Sequence, residues 1–217
     1  MLLGLTAVAG LIDAVSYLGL GHVFAANMTG NIVFLGFAAA GAQGLSVERS
    51  GAALVAFLLG AILGGRMALT ADSARRHSWL GTAFGLEGAL LAVATLVSLG
   101  EGASLGGDVR RLYAAIVLIG FAMGLRNATI RRVGVPDITT TVLTLTLTGL
   151  AADSSLAGGQ NPRWATRTGS VAAMFVGAAL GVVLVRDSVA LALGVSALAS
   201  LSCAATALRR RSQGTSS

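Results

Sequence analysis

Asn27-Met28-Thr29-Gly30-Asn31 interrupts the run from residue 23 to residue 41, which is otherwise nearly all apolar. Lipid offers no partner for a side-chain amide, a hydroxyl or a bared peptide group, so these residues must face something other than hydrocarbon. Gly30 lets the backbone bend there. In an extended or irregular backbone Asn27, Thr29 and Asn31 would point one way, whereas in a continuous helix they would spread around it. Two readings follow: a helix break lining a small site, or capping and helix-to-helix hydrogen bonding. A weaker echo follows later in the chain, where Thr139, Thr140, Thr141, Thr144, Thr146, Thr148 and Gly149 crowd another apolar run.

The surroundings of that stretch fix the class. Of 217 residues, 55% are hydrophobic and only 11% are charged, whereas soluble domains carry about a quarter charged residues. Such a chain cannot cover a soluble surface. It reads as an all-α polytopic membrane protein with the lipid bilayer as its partner. Its apolar runs lie at about 2–20, 23–41, 51–70, 79–99, 112–130, 138–152, 168–185 and 188–207. A span needs about 20 residues, and the Thr-rich run at 138–152 falls short. The N-terminal residues lack the basic region of a secretory signal and read as the start of the first membrane segment.

Net charge is +6, and all 15 basic residues are Arg. They lie singly or in small groups between apolar runs, the pattern of topology signals rather than of a basic face, so no nucleic-acid partner is expected. With Arg75, Arg76 and Arg209 to Arg211 on one side, an even number of crossings must separate them, yet five runs intervene. One run therefore does not cross. The short run at 138–152 is the best candidate, with the run at 23–41 as its counterpart. This gives six full transmembrane helices plus two short or re-entrant ones. Arg75, Arg76, Arg131, Arg132, Arg163, Arg167 and Arg209 to Arg211 then fall inside, and Arg49, Arg110, Arg111 and Arg186 outside. Both termini are expected to be cytoplasmic, in a bacterial inner membrane; the alternative is seven or eight ordinary spans.

The chain also overlays on itself. Gly10-Leu-Ile-Asp13-Ala14 matches Gly124-Leu-Arg-Asn127-Ala128 at an offset of 114, and Gly60-Ala-Ile-Leu-Gly64 matches Gly177-Ala-Ala-Leu-Gly181 at 117. Thr29 falls near Thr144. A single transmembrane domain over residues 1–208 would then consist of two homologous halves, about 1–100 and 112–208, followed by a basic tail at 209–217. Repeats of this kind are a common transporter architecture, with the site near the midplane. Gly60/Gly64, Gly81/Gly85, Gly120/Gly124 and Gly177/Gly181 are small-xxx-small pairs that bring helix backbones together within the chain or, alternatively, in a homodimer.

Asp13 and Glu87 lie within membrane runs, where an ionised carboxylate costs at least ~2.5–3.5 kcal/mol on insertion scales. Each should be paired, inward-facing or protonated, with Arg66 and Arg126 as the available cations. A proton or cation relay and a buried structural pair are both open at this point. Asn127 occupies the position matching Asp13. No phosphate-binding loop, dinucleotide fingerprint, paired His or nucleophile elbow is present, so neither an enzyme, a cofactor nor a metal is expected. Cys203 stands alone, excluding a disulfide within the chain.

Gly10-Leu-Ile-Asp13-Ala-Val-Ser-Tyr17, Val23-Phe-Ala-Ala-Asn27-Met-Thr-Gly-Asn31, Phe57-Leu-Leu-Gly60-Ala61 and Gly124-Leu-Arg-Asn127-Ala128 together resemble the YoaK family of bacterial membrane proteins, also called DUF1275. The resemblance covers essentially the whole chain. It implies an integral inner-membrane protein and supplies no substrate. The expectation is a small-solute, ion or proton-coupled permease with a polar site between the halves. Asp13, Asn27, Thr29, Gly30, Asn31, Asn127 and Thr144 would line that site, with Glu87 and Arg126 near it. The competing reading is a non-transporting scaffold, assembly or sensor protein.

Overall fold

The computed structural model describes residues 2–69, 76–133 and 143–214, without the side chains of residues 2, 76–78 and 210–214. Arg75 and Thr139 to Thr141 lie outside the described residues. Eight α-helices follow the eight apolar runs: α1 (Leu2–Gly19), α2 (Met28–Ala39), α3 (Val47–Leu69), α4 (Arg76–Val97), α5 (Val109–Val133), α6 (Leu143–Ala152), α7 (Trp164–Asp187) and α8 (Val189–Gly214). A 3₁₀ turn, Ser155–Ala157, follows α6. Among the described residues there is no strand. Among the described residues five helices, α3, α4, α5, α7 and α8, are long and apolar enough to cross a membrane, and α1, α2 and α6 are shorter.

The six longest helices run between the same two ends of the bundle. At one end the Leu105 N–H donates to Gly19 O at 3.0 Å and the Val189 N–H to Gly102 O at 3.0 Å. There too, Arg49 Nη1 donates to Gly21 O at 3.1 Å and Arg111 Nη1 to Leu99 O at 3.0 Å. Side-chain oxygens start three helices at this end, relieving backbone donors that no helix bond can use. Ser46 accepts from the Arg49 N–H, Asp108 from the Arg110 and Arg111 N–H groups, and Ser188 from the Ala190 N–H. At the other end Leu5, Ala68, Trp79, Leu80, Phe84, Ile130, Ala204 and Ala207 close one apolar cluster. Arg49, Arg110, Arg111 and Arg186 thus share one end, and Arg131, Arg132, Arg163, Arg167 and Arg209 the other.

Two helix pairs make the closest approaches. Where α1 meets α7, Gly10 lies against the backbone of Met174 and Ala178, Gly177 against that of Ala7, and Gly181 against Leu11 and Ala14. Where α3 meets α5, Gly124 lies against the backbone of Phe57 and Ala61, Gly60 against that of Phe121, and Gly64 against Leu125 and Ala128. A side chain at any of these positions would hold the backbones apart and forfeit the dispersion contacts that join helices in lipid. Gly120 faces Ala53, Gly81 faces Leu208 and Gly85 faces Ala204. All four small-xxx-small pairs therefore face other helices of the same chain.

The motif at residues 27–31 does not break a helix; it begins one. Residues 23–27 are not helical, and α2 starts at Met28, five residues after the apolar run begins. The cause is competition for backbone groups, which Asp13 and Asn31 capture before a helix can. What remains is a helix of 12 residues, about 18 Å long at ~1.5 Å per residue. The run at 23–41, long enough to span as a continuous helix, thus contains a much shorter one. Arg49 bonding Gly21 means that the segment between them, α2 included, leaves one end of the bundle and returns to it.

Candidate functional site

A cavity of about 420 Å³ lies where the first turns of α2 and α6 approach, beside α7. Its polar lining is Asn27, Thr29 and Thr144, and its apolar lining includes Phe24, Phe34, Leu147 and Met174. Gly30 also borders it; a Cβ there would strike the Phe24 ring, so a side chain would push the ring from its place. The Phe24 and Phe34 rings stack at 5.4 Å with planes 19° apart, and Tyr17 stacks on Phe24 at 5.4 Å and lies 6.1 Å from Phe34.

Two buried side chains hold the α2 entry in this shape. Asp13, on α1, presents Oδ1 to three successive backbone donors: Ala25 N–H at 3.1 Å, Ala26 at 2.8 Å and Asn27 at 3.3 Å. Consecutive amides converging on one oxygen form a small anion-binding concavity, filled here by the chain's own carboxyl group. Asn31 is fully buried and bonds Phe24 twice, accepting from its N–H at 2.8 Å and donating to its carbonyl at 2.5 Å. Each residue supplies hydrogen bonds that a non-helical segment otherwise lacks away from water. Asn27 and Thr29 are left projecting into the cavity.

Glu87 and Arg126 are elsewhere. They pair with each other in the core, both side chains without solvent exposure. Arg126 Nη2 donates to Glu87 Oε1 and, at 3.0 Å, to the Ser200 hydroxyl, which in turn donates to Glu87 Oε1 at 2.7 Å. Arg126 Nη1 donates to Leu5 O at 3.0 Å. The network joins α1, α4, α5 and α8, and it explains how α5 continues unbroken past Arg126 to Val133. Asn127 is buried and donates to Met123 O at 2.9 Å, one turn back along its own helix.

The nine residues expected at a site form three groups. Asn27, Thr29, Gly30 and Thr144 border the cavity. Asp13 and Asn31 shape its wall from behind. Glu87, Arg126 and Asn127 lie apart from this lining among the described residues. The cation beside Glu87 is Arg126, whereas Asp13 is met by peptide N–H groups. The alternation of Asn27, Thr29 and Asn31 does not place them on one side either, because two of the three are helical. Sequence reasoning missed Ser200, one small hydroxyl among many in α8. It also missed the rings of Tyr17, Phe24 and Phe34, although three of the few aromatics in the chain within 18 residues were a signal.

The match to known proteins agrees with the helical, apolar architecture. The family model described as "Protein of unknown function (DUF1275)" matches residues 1–206. The chain belongs to the DUF1275 family. It is 35% identical over 147 residues to "UPF0700 transmembrane protein YoaK" of Bacillus subtilis (strain 168), an alignment covering 68% of this chain and 63% of that protein. No solved structure matches. Sequence, helices and relative together describe a multi-pass membrane protein of this family.

Proposed function

We propose that this DUF1275 protein is a permease of the bacterial inner membrane that moves a small solute through the cavity between α2 and α6. The observation that carries the reading is the polar lining supplied by the first turns of two separate short helices, with Thr29 from one and Thr144 from the other. Pockets that bind small molecules are mostly apolar with a few convergent polar groups, and this one has that composition.

The architecture expected from the sequence fits the role. In this reading the six longest helices cross, α2 and α6 enter and return, and the two halves are repeats of opposite orientation. Support comes from the paired contacts: Gly10 on Met174 and Gly124 on Phe57 are related by the same offsets of 114 and 117 that align the sequence. Gly177 on Ala7 and Gly60 on Phe121 obey them too, as do Gly181 on Leu11 and Gly64 on Leu125. The division of the arginines between the two ends agrees with six crossings, the richer end being cytoplasmic.

Two measurements test this. Reporters fused after Ser78 and after Gly158 both read cytoplasmic with six crossings, whereas eight would put them on opposite sides. Purified protein in liposomes takes up at least one solute or proton faster than protein-free vesicles; no flux across a broad panel removes the permease reading and leaves the scaffold.

A further inference from the structure

We infer that the solute taken by the α2–α6 cavity is small, uncharged, and able both to donate and to accept hydrogen bonds. The inference rests on the permease reading above and deepens it by naming the substrate class. Among the described residues, the cavity lining contains no ionisable side chain. Among the described residues, the carboxyl group bonded to the segment that borders the cavity is Asp13, whose Oδ1 accepts from the Ala25, Ala26 and Asn27 amides. Glu87 and Arg126 are committed to each other, to Ser200 and to Leu5 O. An ion in the cavity would meet no opposite charge on the described lining, and a charge that sheds water without a partner is the most expensive group to bury.

What the lining does offer is two-way hydrogen bonding. A threonine hydroxyl donates and accepts, and so does an asparagine amide. Thr29, Thr144 and Asn27 therefore suit amides and polyols, whose groups also act both ways. Phe24 and Phe34 supply a flat apolar wall next to these groups, which suits the carbon face of such a solute and gives an ion nothing in exchange for its water.

The test is stopped-flow light scattering on proteoliposomes challenged with urea or glycerol, beside bilayer current recorded in potassium chloride and in choline chloride. The expected result is urea or glycerol entry above that of protein-free vesicles with no added salt current. The double variant Thr29→Val/Thr144→Val should slow entry roughly tenfold, the worth of about one hydrogen bond. Thr29→Ser/Thr144→Ser, which keeps both hydroxyls, should restore it and so separate lost chemistry from lost folding. Salt current equal to or greater than the neutral flux overturns the uncharged class while leaving a permease. Entry of neither kind overturns this inference, and the permease reading falls with it only if the broad panel above shows no flux either. Neutral entry indifferent to the valine pair places the path elsewhere and overturns the assignment of class to this cavity.

Discussion

Asn31 holds Phe24 by both of its peptide groups, accepting from the N–H at 2.8 Å and donating to the carbonyl at 2.5 Å. An amide can do both at once, whereas a carboxylate only accepts and an ammonium only donates. Asn31→Ala should leave two partly buried backbone groups without partners, at up to about 1–3 kcal/mol each. Asn31→Asp should be costly as well, because an ionised carboxylate would face the Phe24 carbonyl. Thermal unfolding in detergent is the readout, with both variants melting well below wild type. A wild-type melting temperature for Asn31→Ala would mean that the Phe24 contact contributes nothing.

Close helix approach makes a second prediction with an internal control. Gly124 and Gly177 sit against the backbones of Phe57 and Ala7, whereas nothing lies within 4 Å of a side chain added at Gly65. Gly124→Ala or Gly177→Ala should destabilise by about 1–3 kcal/mol, the usual cost of overpacking. Gly65→Ala should be neutral or stabilising by about 0.5–1 kcal/mol, since alanine is the better helix residue. The fraction of protein staying monodisperse after a heat challenge in detergent compares the three. Equal behaviour of Gly65 and Gly124 variants would contradict the packing of α3 on α5.

These contacts also indicate how far the sequence reaches. Hydropathy locates all eight helices because lipid imposes one simple requirement along the whole chain, and the glycine spacing marks the faces that meet. It does not say that Asp13 would take peptide donors rather than an arginine, because that choice depends on a non-helical segment folding back beside α1. Nor does it pair Arg126 with Glu87, 39 positions away, in preference to Asp13. Thr29 and Thr144 were readable as counterparts by offset; their sharing one cavity required the three-dimensional placement of α2 and α6.

The buried Glu87–Arg126 pair predicts an asymmetry between single and double changes. Arg126→Met would strand Glu87 in a water-free core, and breaking a buried pair by removing one partner costs about 3–5 kcal/mol. Glu87→Leu would strand Arg126 in the same way. The double variant should recover much of the loss, because well-packed apolar residues often replace such pairs at little cost. Yield of folded protein and melting temperature across the four-member cycle measure the coupling. Additive losses would show that the two side chains act independently, contrary to their direct contact.

The attachment of α6 can be examined through Arg167. Its Nη1 donates to Gly149 O at 2.7 Å and to Asp153 Oδ2 at 2.8 Å, linking the last turns of α6 to the start of α7. Asp153 is half exposed, with 45% of its side chain accessible, and exposed ion pairs are worth only about 0–1 kcal/mol. Asp153→Asn should therefore change little. Arg167→Leu also removes the bond to the Gly149 carbonyl, so it should loosen α6 more than Asp153→Asn does. Hydrogen exchange over residues 143–152 reads this directly, with faster exchange in Arg167→Leu and near wild-type exchange in Asp153→Asn. Equal exchange in both would assign the attachment of α6 to apolar packing alone.

The shared cavity makes the last prediction, and it is independent of any transported solute. Thr29 and Thr144 border the same space of about 420 Å³ from two different helices, so cysteines at the two positions should be bridged by a short bifunctional thiol reagent. Cys203 is the single native cysteine and is half-buried on α8, so Cys203→Ser provides a clean background. Leu145 follows Thr144 directly yet is 67% exposed and absent from the lining, because the next residue on a helix points about 100° away. Thr29→Cys paired with Leu145→Cys should therefore bridge much less efficiently. Efficient bridging of Thr29 to position 145 but not 144 would rotate α6 away from the arrangement described and remove Thr144 from the site.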